Sequence, residues 1–336
     1  MLDLLKQLCT LDGTSGREAA VREFLISQLN GAPYRVDAMG NLIVEVKGRK
    51  PAKNRMMLCA HMDEVGVMAT FIKADGTVKF NTVGGVSPAV LPGRAFRFES
   101  GAVGVVSVKP VHLCSEEEKS TLPDAADMAI DIGADSREQA EALVRPGDTA
   151  VFTSEYTPMG DKILSKALDD RAGCAILLDM IRTGVAYDTV FCFNAQEEVG
   201  LRGAVVSAFS VAPDYALVLE ATTAADIIDA PEEKQVCALG KGPAVSFMDN
   251  ATVYDKALFQ KALTLAAENG IPAQPKTMVA GGNDAGSIHK SRAGVRTLTV
   301  SVPCRYIHSA SCVCDKNDVL ATRRLAEAIN EYFAMA

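Results

Sequence analysis

Apolar residues follow two different spacings along the chain, and together these predict a sheet covered by helices. Short, mostly apolar stretches are typical of strands buried on both faces, and they lie at 56–60 (MMLCA), 189–193, 215–219 and 296–302. Longer stretches carry apolar residues every three or four positions, which predicts amphipathic helices at 171–183, 256–269 and 316–333. The alternation of the two patterns indicates an α/β fold.

The N-terminal segment carries another helix signal, at residues 14–30. Ser15 is followed three positions later by Glu18, which is typical of a helix N-terminus where two side chains cap backbone N–H groups. Apolar residues then recur at helical spacing. Beyond this helix, residues 33–47 predict two short strands around a turn at 39–41.

Between about residues 69 and 161 the pattern changes to short strands broken by glycine and proline. The segment FIKADGTVKF has the alternation and the Asp75-Gly76 turn of a β-hairpin. Further strands are predicted at 95–98, 103–108 and 149–152, and one helix at 136–144. We therefore expect an α/β domain formed by residues 1–68 and 162–336, interrupted by a β-rich domain at 69–161.

The composition restricts the classes of protein to which the chain can belong. Hydrophobic residues make up 48% and charged residues 23% of the 336 residues, as in ordinary globular domains. The net charge of -8 comes without a block of lysine or arginine, which argues against a nucleic-acid partner. No apolar run approaches the ~20 residues of a membrane span, and the first residues lack the pattern of a signal peptide. The nine scattered cysteines favour buried reduced thiols, so we expect a cytoplasmic protein.

Residues able to bind metal stand where the predicted strands end. They are His61, Glu197, Glu198, Glu220 and His308, with Asp169 and Asp170 directly before a predicted helix. In open α/β sheets the carboxyl ends of the strands meet at one edge, and ligands bind there. Two imidazoles with several carboxylates form a nitrogen-and-oxygen ligand set, which suits zinc, cobalt or manganese.

Each of these positions alone has a simpler interpretation. A charged residue at a strand end usually begins a solvated loop, and a single histidine is more often a hydrogen-bonded polar residue than a ligand. Here two of the four histidines stand at strand ends, with carboxylates at comparable points, and this coincidence favours a metal site. The other two, His112 and His289, lie in a predicted loop and a predicted helix and are interpreted as structural.

The local spacing also fits a metal site. Side chains alternate along an extended chain, so Asp63 lies on the same side as His61 and can hydrogen-bond its second imidazole nitrogen. Glu197 and Glu198 are adjacent and must diverge. One of them can therefore bind a metal while the other acts as a general base.

Five motifs carry a resemblance that extends over nearly the whole chain: HMDEVG, KALDDRAG, NAQEEVGLRGA, LEATTAAD and RYIHS, with SGREAAVREF near the start. They resemble the dinuclear metallo-aminopeptidases of the tetrahedral (TET), deblocking and glutamyl aminopeptidase family. The resemblance implies an α/β catalytic domain with a zinc-peptidase-like mixed sheet. It also implies an inserted β-barrel-like domain for dimer contacts, with the dimers of this homo-oligomer assembling into a dodecamer.

The resemblance further implies a role for each residue of the site. The implied metal ligands are His61, Asp169, Glu198, Glu220 and His308, with Asp169 shared by two divalent ions. Glu197 is implied as the general base, and Asp63 as the partner of His61. Many members have aspartate at the position of Glu220, and GGTDA where this chain has GGNDA at 281–285, a loop we expect near the substrate. Related peptidases also carry a cis peptide bond at the bridging aspartate, which predicts one between Asp169 and Asp170.

These implications predict an aminopeptidase with two divalent metal ions, zinc or cobalt before manganese, that acts on short peptides with a free N-terminus. A deacylase of N-acyl amino acids or peptides is the first alternative, because the same ligands would serve it. Members of the family have also been labelled endoglucanases, but a glycosidase uses paired carboxylates without metal, and the histidines argue against it. A non-catalytic scaffold would be expected to have lost a ligand or the base, and none is missing.

Overall fold

A large mixed sheet and a small closed barrel make up the computed structural model, which describes residues 1–121 and 123–336. The sheet has eleven strands with helices packed against it, and the antiparallel barrel is formed by the strands between Gly66 and Phe152. This architecture confirms the predicted fold class. The division into residues 1–68 with 162–336 and residues 69–161 stays a prediction.

The elements follow one another in three groups. The first group is α1 (Leu2–Thr10), α2 (Ala19–Ser27), β1 (Tyr34–Val36), β2 (Leu42–Val46) and β3 (Met56–His61). The second group is β4 (Gly66–Ile72), β5 (Val78–Val83), β6 (Ala95–Phe98), β7 (Val103–Ser107), α3 (Glu116–Ser120), β8 (Ala129–Asp131), α4 (Arg137–Glu141) and β9 (Thr149–Phe152). The third group is β10 (Thr157–Met159), β11 (Lys162–Ser165), α5 (Leu168–Thr183), β12 (Thr189–Asn194), α6 (Arg202–Val211), β13 (Tyr215–Thr223), β14 (Ala244–Val245), α7 (Lys256–Glu268), β15 (Gln274–Pro275), α8 (Ala285–Ile288), β16 (Arg296–Arg305), β17 (Cys312–Asp315) and α9 (Lys316–Met335).

The strand order of the large sheet puts four parallel strands at its centre. The order is β1-β2-β12-β3-β13-β16-β17-β11-β10, and β14 and β15 extend from β16. Strands β12, β3, β13 and β16 are parallel neighbours. The sheet continues on both sides through antiparallel pairs, which involve β1, β2, β17, β11 and β10. Because β3 and β12 are buried at every position, both faces of the sheet are covered. Helix α5 packs on β3 and β13 with α1 and α9 beside it, and α6 and α8 pack together against β12, β13 and β16.

The barrel has its own core and explains the change of pattern after residue 69. Strands β4, β5, β8, β7, β6 and β9 close in this order, and every neighbouring pair is antiparallel. Phe80, Phe96, Phe98 and Phe152 fill its interior. The hairpin predicted at Asp75-Gly76 is present, with Gly76 at a φ of 85° that favours glycine.

Two expectations near the N-terminus and in β13 were wrong. Helix α2 begins at Ala19, not near residue 14, and Ser15 does not cap it, because the Ser15 hydroxyl donates to Asp63 instead. Strand β13 does not end before Glu220 but continues to Thr223. Helices α1, α3 and α6 are not among the helices that the sequence pattern predicts. None of the helices in the described part of the chain is long and apolar enough to cross a membrane.

Candidate active site

The parallel strands bring the predicted residues to one edge of the sheet. His61 is the last residue of β3, Glu220 lies near the end of β13, and His308 follows β16 by three positions. Glu197 and Glu198 lie in the loop after β12. Since β12, β3, β13 and β16 all point the same way, their carboxyl ends are neighbours, and the side chains converge there.

Asp169 lies between two imidazole–carboxylate groups. On one side, His61 Nε2 is 3.1 Å from Asp169 Oδ1 and 3.2 Å from Glu220 Oε1. On the other side, His308 Nε2 is 3.3 Å from Asp169 Oδ2 and 3.3 Å from Glu198 Oε2. The five residues that the resemblance implies as ligands are therefore together, with the two oxygens of Asp169 facing different histidines.

The backbone around Asp169 departs from helical geometry at the start of α5. The Asp169–Asp170 peptide bond is cis, as predicted, and both residues have non-helical φ and ψ angles. The Asp170 carboxylate accepts hydrogen bonds from the backbone N–H of His61 at 3.3 Å and of Gly173 at 2.9 Å. A Cβ atom at Gly173 would lie 2.4 Å from Asp170 Oδ2, so the glycine in KALDDRAG makes room for this carboxylate.

The Asp63 carboxylate contacts both His61 and the backbone of Glu197 and Glu198. Its carboxylate accepts hydrogen bonds from the backbone N–H of Glu197 at 2.9 Å and of Glu198 at 3.1 Å, and from the Ser15 hydroxyl at 2.6 Å. Its Oδ1 atom is 3.4 Å from His61 Nδ1, which is closer to the Asp63 backbone oxygen, at 3.0 Å. Asp63 thus fixes the end of β3 relative to the loop that follows β12.

The carboxyl groups of the site differ in their surroundings. The Glu198 side chain is next to His308, and its buried Oε1 atom has no hydrogen-bond partner within the described part of the chain. The Glu197 side chain forms no hydrogen bond or ion pair with residues 1–121 or 123–336 and faces the cavity. The adjacent pair therefore does diverge, with one carboxylate held by a histidine and the other left free.

The pKa values point to a cluster that lacks positive charge. Burial raises the pKa of Glu197 and Glu220 well above the usual range, and neighbouring carboxylates add to the effect. Burial opposes the charged form of His61, but the carboxylates of Glu220, Asp169 and Asp63 raise its pKa well above the ordinary value. Burial also works against the Asp169 anion, yet the two histidines hold the pKa of that carboxyl far below its usual range.

Divalent cations fit this donor set. The ligand atoms of His61, Asp169 and Glu198, and likewise those of His61, Asp170 and Glu220, lie within 4.8 Å of one another. The buried Glu198 Oε1 atom, which has no hydrogen-bond partner among the described residues, is a further free ligand atom. Positive ions would supply the charge that these anionic groups otherwise obtain from protons.

Comparison with known proteins places the chain in a family. Residues 40–325 match the model of the M42 glutamyl aminopeptidase family, which is most of the chain. The chain belongs to the M42 family. It is therefore an aminopeptidase, a hydrolase of peptide bonds, and the resemblance seen in its motifs is confirmed.

Relatives match this M42 aminopeptidase over nearly its whole length. Lysyl aminopeptidase of Pyrococcus furiosus is 33% identical, covering 98% of this chain and 96% of the relative. An aminopeptidase from the archaeon Desulfurococcus kamchatkensis has the same fold with a TM-score of 0.92 at 32% identity, over 98% of this chain and 94% of that one. A TET peptidase of Pyrococcus horikoshii, which can assemble into a tetrahedron or a large octahedral shell, matches with a TM-score of 0.85 at 35% identity, over 98% of both chains.

The M42 site opens into a cavity of about 370 Å³. The candidate ligands and Glu197 line it, together with Leu201, Thr222, Lys276, Asn283 and Ile307. The loop at 281–285 borders it through Gly281, Gly282 and Asn283. A larger cavity of about 650 Å³ lies elsewhere, around Arg17, Arg22 and Arg97, and contains none of the candidate ligands. We assign the chemistry to the smaller cavity because it holds the groups that can perform it.

Sequence reasoning missed two residues that complete the M42 site. Gly85, in the loop after β5, accepts a hydrogen bond at its carbonyl from His308 Nδ1 at 3.0 Å. The barrel segment therefore orients one of the histidines. Lys276 is buried in the cavity wall. Nothing local in the sequence marks either residue, because each lies beside candidate ligands that are distant along the chain. Of the two histidines interpreted as structural, His289 bonds the carbonyl of Ala285 and His112 lies in a short helical turn, both away from the cavity.

Proposed function

We propose that this M42 aminopeptidase uses two divalent metal ions to remove N-terminal residues from short peptides, with Glu197 as the general base. The observation that carries the proposal is the pair of imidazole–carboxylate groups joined by Asp169, beside Glu197, whose side chain forms no hydrogen bond or ion pair with the described residues. His61 and Glu220 would hold one ion, and Glu198 and His308 the other. Zinc, cobalt and manganese all suit these ligands.

The metal ions, when bound, would polarise the scissile carbonyl and make the attacking water more acidic. Glu197 is 9% exposed and faces the cavity, so its carboxylate can reach a water molecule there while bulk solvent is largely excluded. The carboxylate takes a proton from that water and then delivers it to the departing amine. Asp63 holds the Glu197 backbone N–H at 2.9 Å, which keeps this carboxylate aimed at the cavity.

The barrel supports a further part of the proposal, which is self-association. The TET peptidase relative assembles into closed particles. On this chain residues 69–161 expose several large apolar side chains, among them Val103, Val105, Val108, Val111 and Leu113. We infer that residues 69–161 pair two chains and that dimers assemble further, so that active sites open into an enclosed space. Light scattering should give a particle several times 35.6 kDa, and a fully active monomer would contradict this inference.

A panel of chromogenic substrates tests the proposed reaction. The protein is stripped of metal, reloaded with zinc, cobalt or manganese, and assayed on aminoacyl p-nitroanilides with free and with N-acetylated amines. We expect hydrolysis of the free amines only, and loss of all activity after chelation. Release of acetate from the N-acetylated substrates, in preference to hydrolysis of the free-amine substrates, would instead identify a deacylase built on the same ligands.

A further inference from the structure

Lys276 is a buried cation in the wall of the candidate active site. It follows β15, where its backbone N–H donates to the carbonyl of Val245 at 2.8 Å and so fixes its position beside the sheet. Its side chain is 4% exposed. Of the described residues that line the cavity, Lys276 is the only lysine or arginine.

The Lys276 ammonium has little compensation within the protein. Nζ donates to the carbonyl of Ala280 at 2.8 Å, and no carboxylate oxygen of residues 1–121 or 123–336 lies within the 4.0 Å of an ion pair. An ammonium group has three N–H donors, and burying such a charge without an anion is costly. Burial accordingly lowers the pKa of Lys276, against the attraction of Asp249 and Glu220.

Lys166 shows how this fold treats a buried lysine that has only a structural role. Lys166 is 1% exposed, and its Nζ atom lies 2.6 and 2.9 Å from the two carboxylate oxygens of Glu64 and 2.9 Å from the carbonyl of Leu11. Its charge is therefore balanced within the protein. Asp249, by contrast, cannot serve Lys276 in this way, since its oxygens already accept hydrogen bonds from Ala251, Thr252 and Tyr254.

The missing anion of Lys276 is best supplied by the substrate. We propose that Lys276 binds a carboxylate of the peptide, so that this cleft selects peptides whose N-terminal residue is aspartate or glutamate. The inference rests on the proposed function and names its substrate class. The family comparison leaves that class open, because its model is described as glutamyl while the relative from Pyrococcus furiosus is a lysyl aminopeptidase. The C-terminal carboxylate of a dipeptide is the second source of the same chemistry.

Substrate selectivity of Lys276→Met tests the proposal. The wild-type enzyme should have a kcat/KM for glutamyl p-nitroanilide about 10- to 100-fold above that for the glutaminyl substrate, as expected of a charged hydrogen bond. Lys276→Met should bring this ratio close to one and should change kcat/KM for the leucyl substrate little. Lys276→Glu should raise kcat/KM for the lysyl substrate relative to the glutamyl substrate. Lys73→Met, at an exposed lysine of the barrel hairpin, is the matched control and should leave every ratio unchanged.

Two additional measurements show which carboxylate of the peptide is bound and whether the variant is folded. A preference for Leu-Leu over Leu-Leu-amide that disappears in Lys276→Met would identify the C-terminal carboxylate as the bound group. Thermal unfolding should show Lys276→Met to be at least as stable as wild type, because an uncompensated buried charge has been removed. A purely structural lysine would instead lose stability on this change.

The result that overturns the inference is an active enzyme whose ratios are the same with and without Lys276. A binding measurement on an inactive variant distinguishes this failure from failure of the proposed function. Calorimetric titration of Glu197→Gln with Glu-Ala-amide and Gln-Ala-amide measures the same preference without turnover. A wild-type protein that hydrolyses no free-amine substrate would refute the proposed function, while equal binding of the two peptides would refute the role of Lys276.

Discussion

Replacement of Glu64 by glutamine would remove the anion that balances two buried cations behind the candidate site. Glu64 follows Asp63 directly, and its Oε1 atom is 2.6 Å from Lys166 Nζ and 3.3 Å from Arg171 Nη2. Lys166 and Arg171 are 1% and 0% exposed and flank Asp169 in sequence. The other carboxylate near Lys166 belongs to the part-exposed Asp12, 3.5 Å away.

The expected loss of stability follows from this burial. Removing one partner of a buried ion pair typically costs about 3–5 kcal/mol, because the remaining charge is left without compensation. Glutamine keeps one acceptor oxygen, which places Glu64→Gln near the lower end, at about 3 kcal/mol. For a chain of 336 residues, with an unfolding entropy of about 2.1 cal/mol/K per residue, that corresponds to a fall in Tm of about 4 °C.

Thermal unfolding followed by circular dichroism at one scan rate measures the effect. Glu45→Gln is the matched control, since Glu45 forms an exposed ion pair with Arg55 at 3.3 Å, and its loss should cost at most about 1 kcal/mol. A Tm for Glu64→Gln no lower than that for Glu45→Gln would refute the assignment of Glu64 as the counter-ion of the buried pair.

Three predictions concern the site itself. Glu197→Gln should lower kcat by at least about 100-fold at unchanged metal content, while Glu198→Gln should lose metal; a Glu197→Gln enzyme that keeps a tenth of wild-type kcat would contradict this. Gly85→Ala should weaken metal binding about 10-fold, because its Cβ would lie 3.1 Å from His308 Nδ1; unchanged affinity in a chelator competition would argue against an orienting role for Gly85. Asp63→Asn should weaken metal binding by about 10- to 100-fold in the same competition assay. A metal affinity equal to that of the wild type would disprove this prediction.

The strands and the residues at their ends could be predicted from the sequence, because both depend on the local pattern of apolar and polar residues. The stretch MMLCA predicts a strand buried on both faces, and β3 is buried at all six positions. The convergence of His61, Glu220 and His308 then follows from parallel strands sharing one edge. The pairing of Asp169 with both histidines was expected from the resemblance to a known family, since no spacing in the sequence indicates it.

The remaining features depend on contacts between distant segments. Ser15 has the local pattern of a helix cap, but the buried Asp63 carboxylate, 48 positions away, accepts its hydroxyl at 2.6 Å. Strand β13 continues past Glu220 because residues up to Thr223 pair with β16 in register. The carbonyl of Gly85 and the ammonium of Lys276 reach the site through the barrel and the β14–β15 pair, respectively, and neither residue lies within one of the five motifs.

Metal stoichiometry tests the central claim most directly. The protein is stripped, dialysed against excess zinc, cobalt or manganese, freed of unbound ion, and analysed for metal per chain alongside aminopeptidase activity. The arrangement of two histidines, Glu198 and Glu220 around Asp169 predicts two tightly held ions per chain, with activity that appears as they bind. At most one tightly held ion with each metal, or full activity in the stripped protein, would contradict the account.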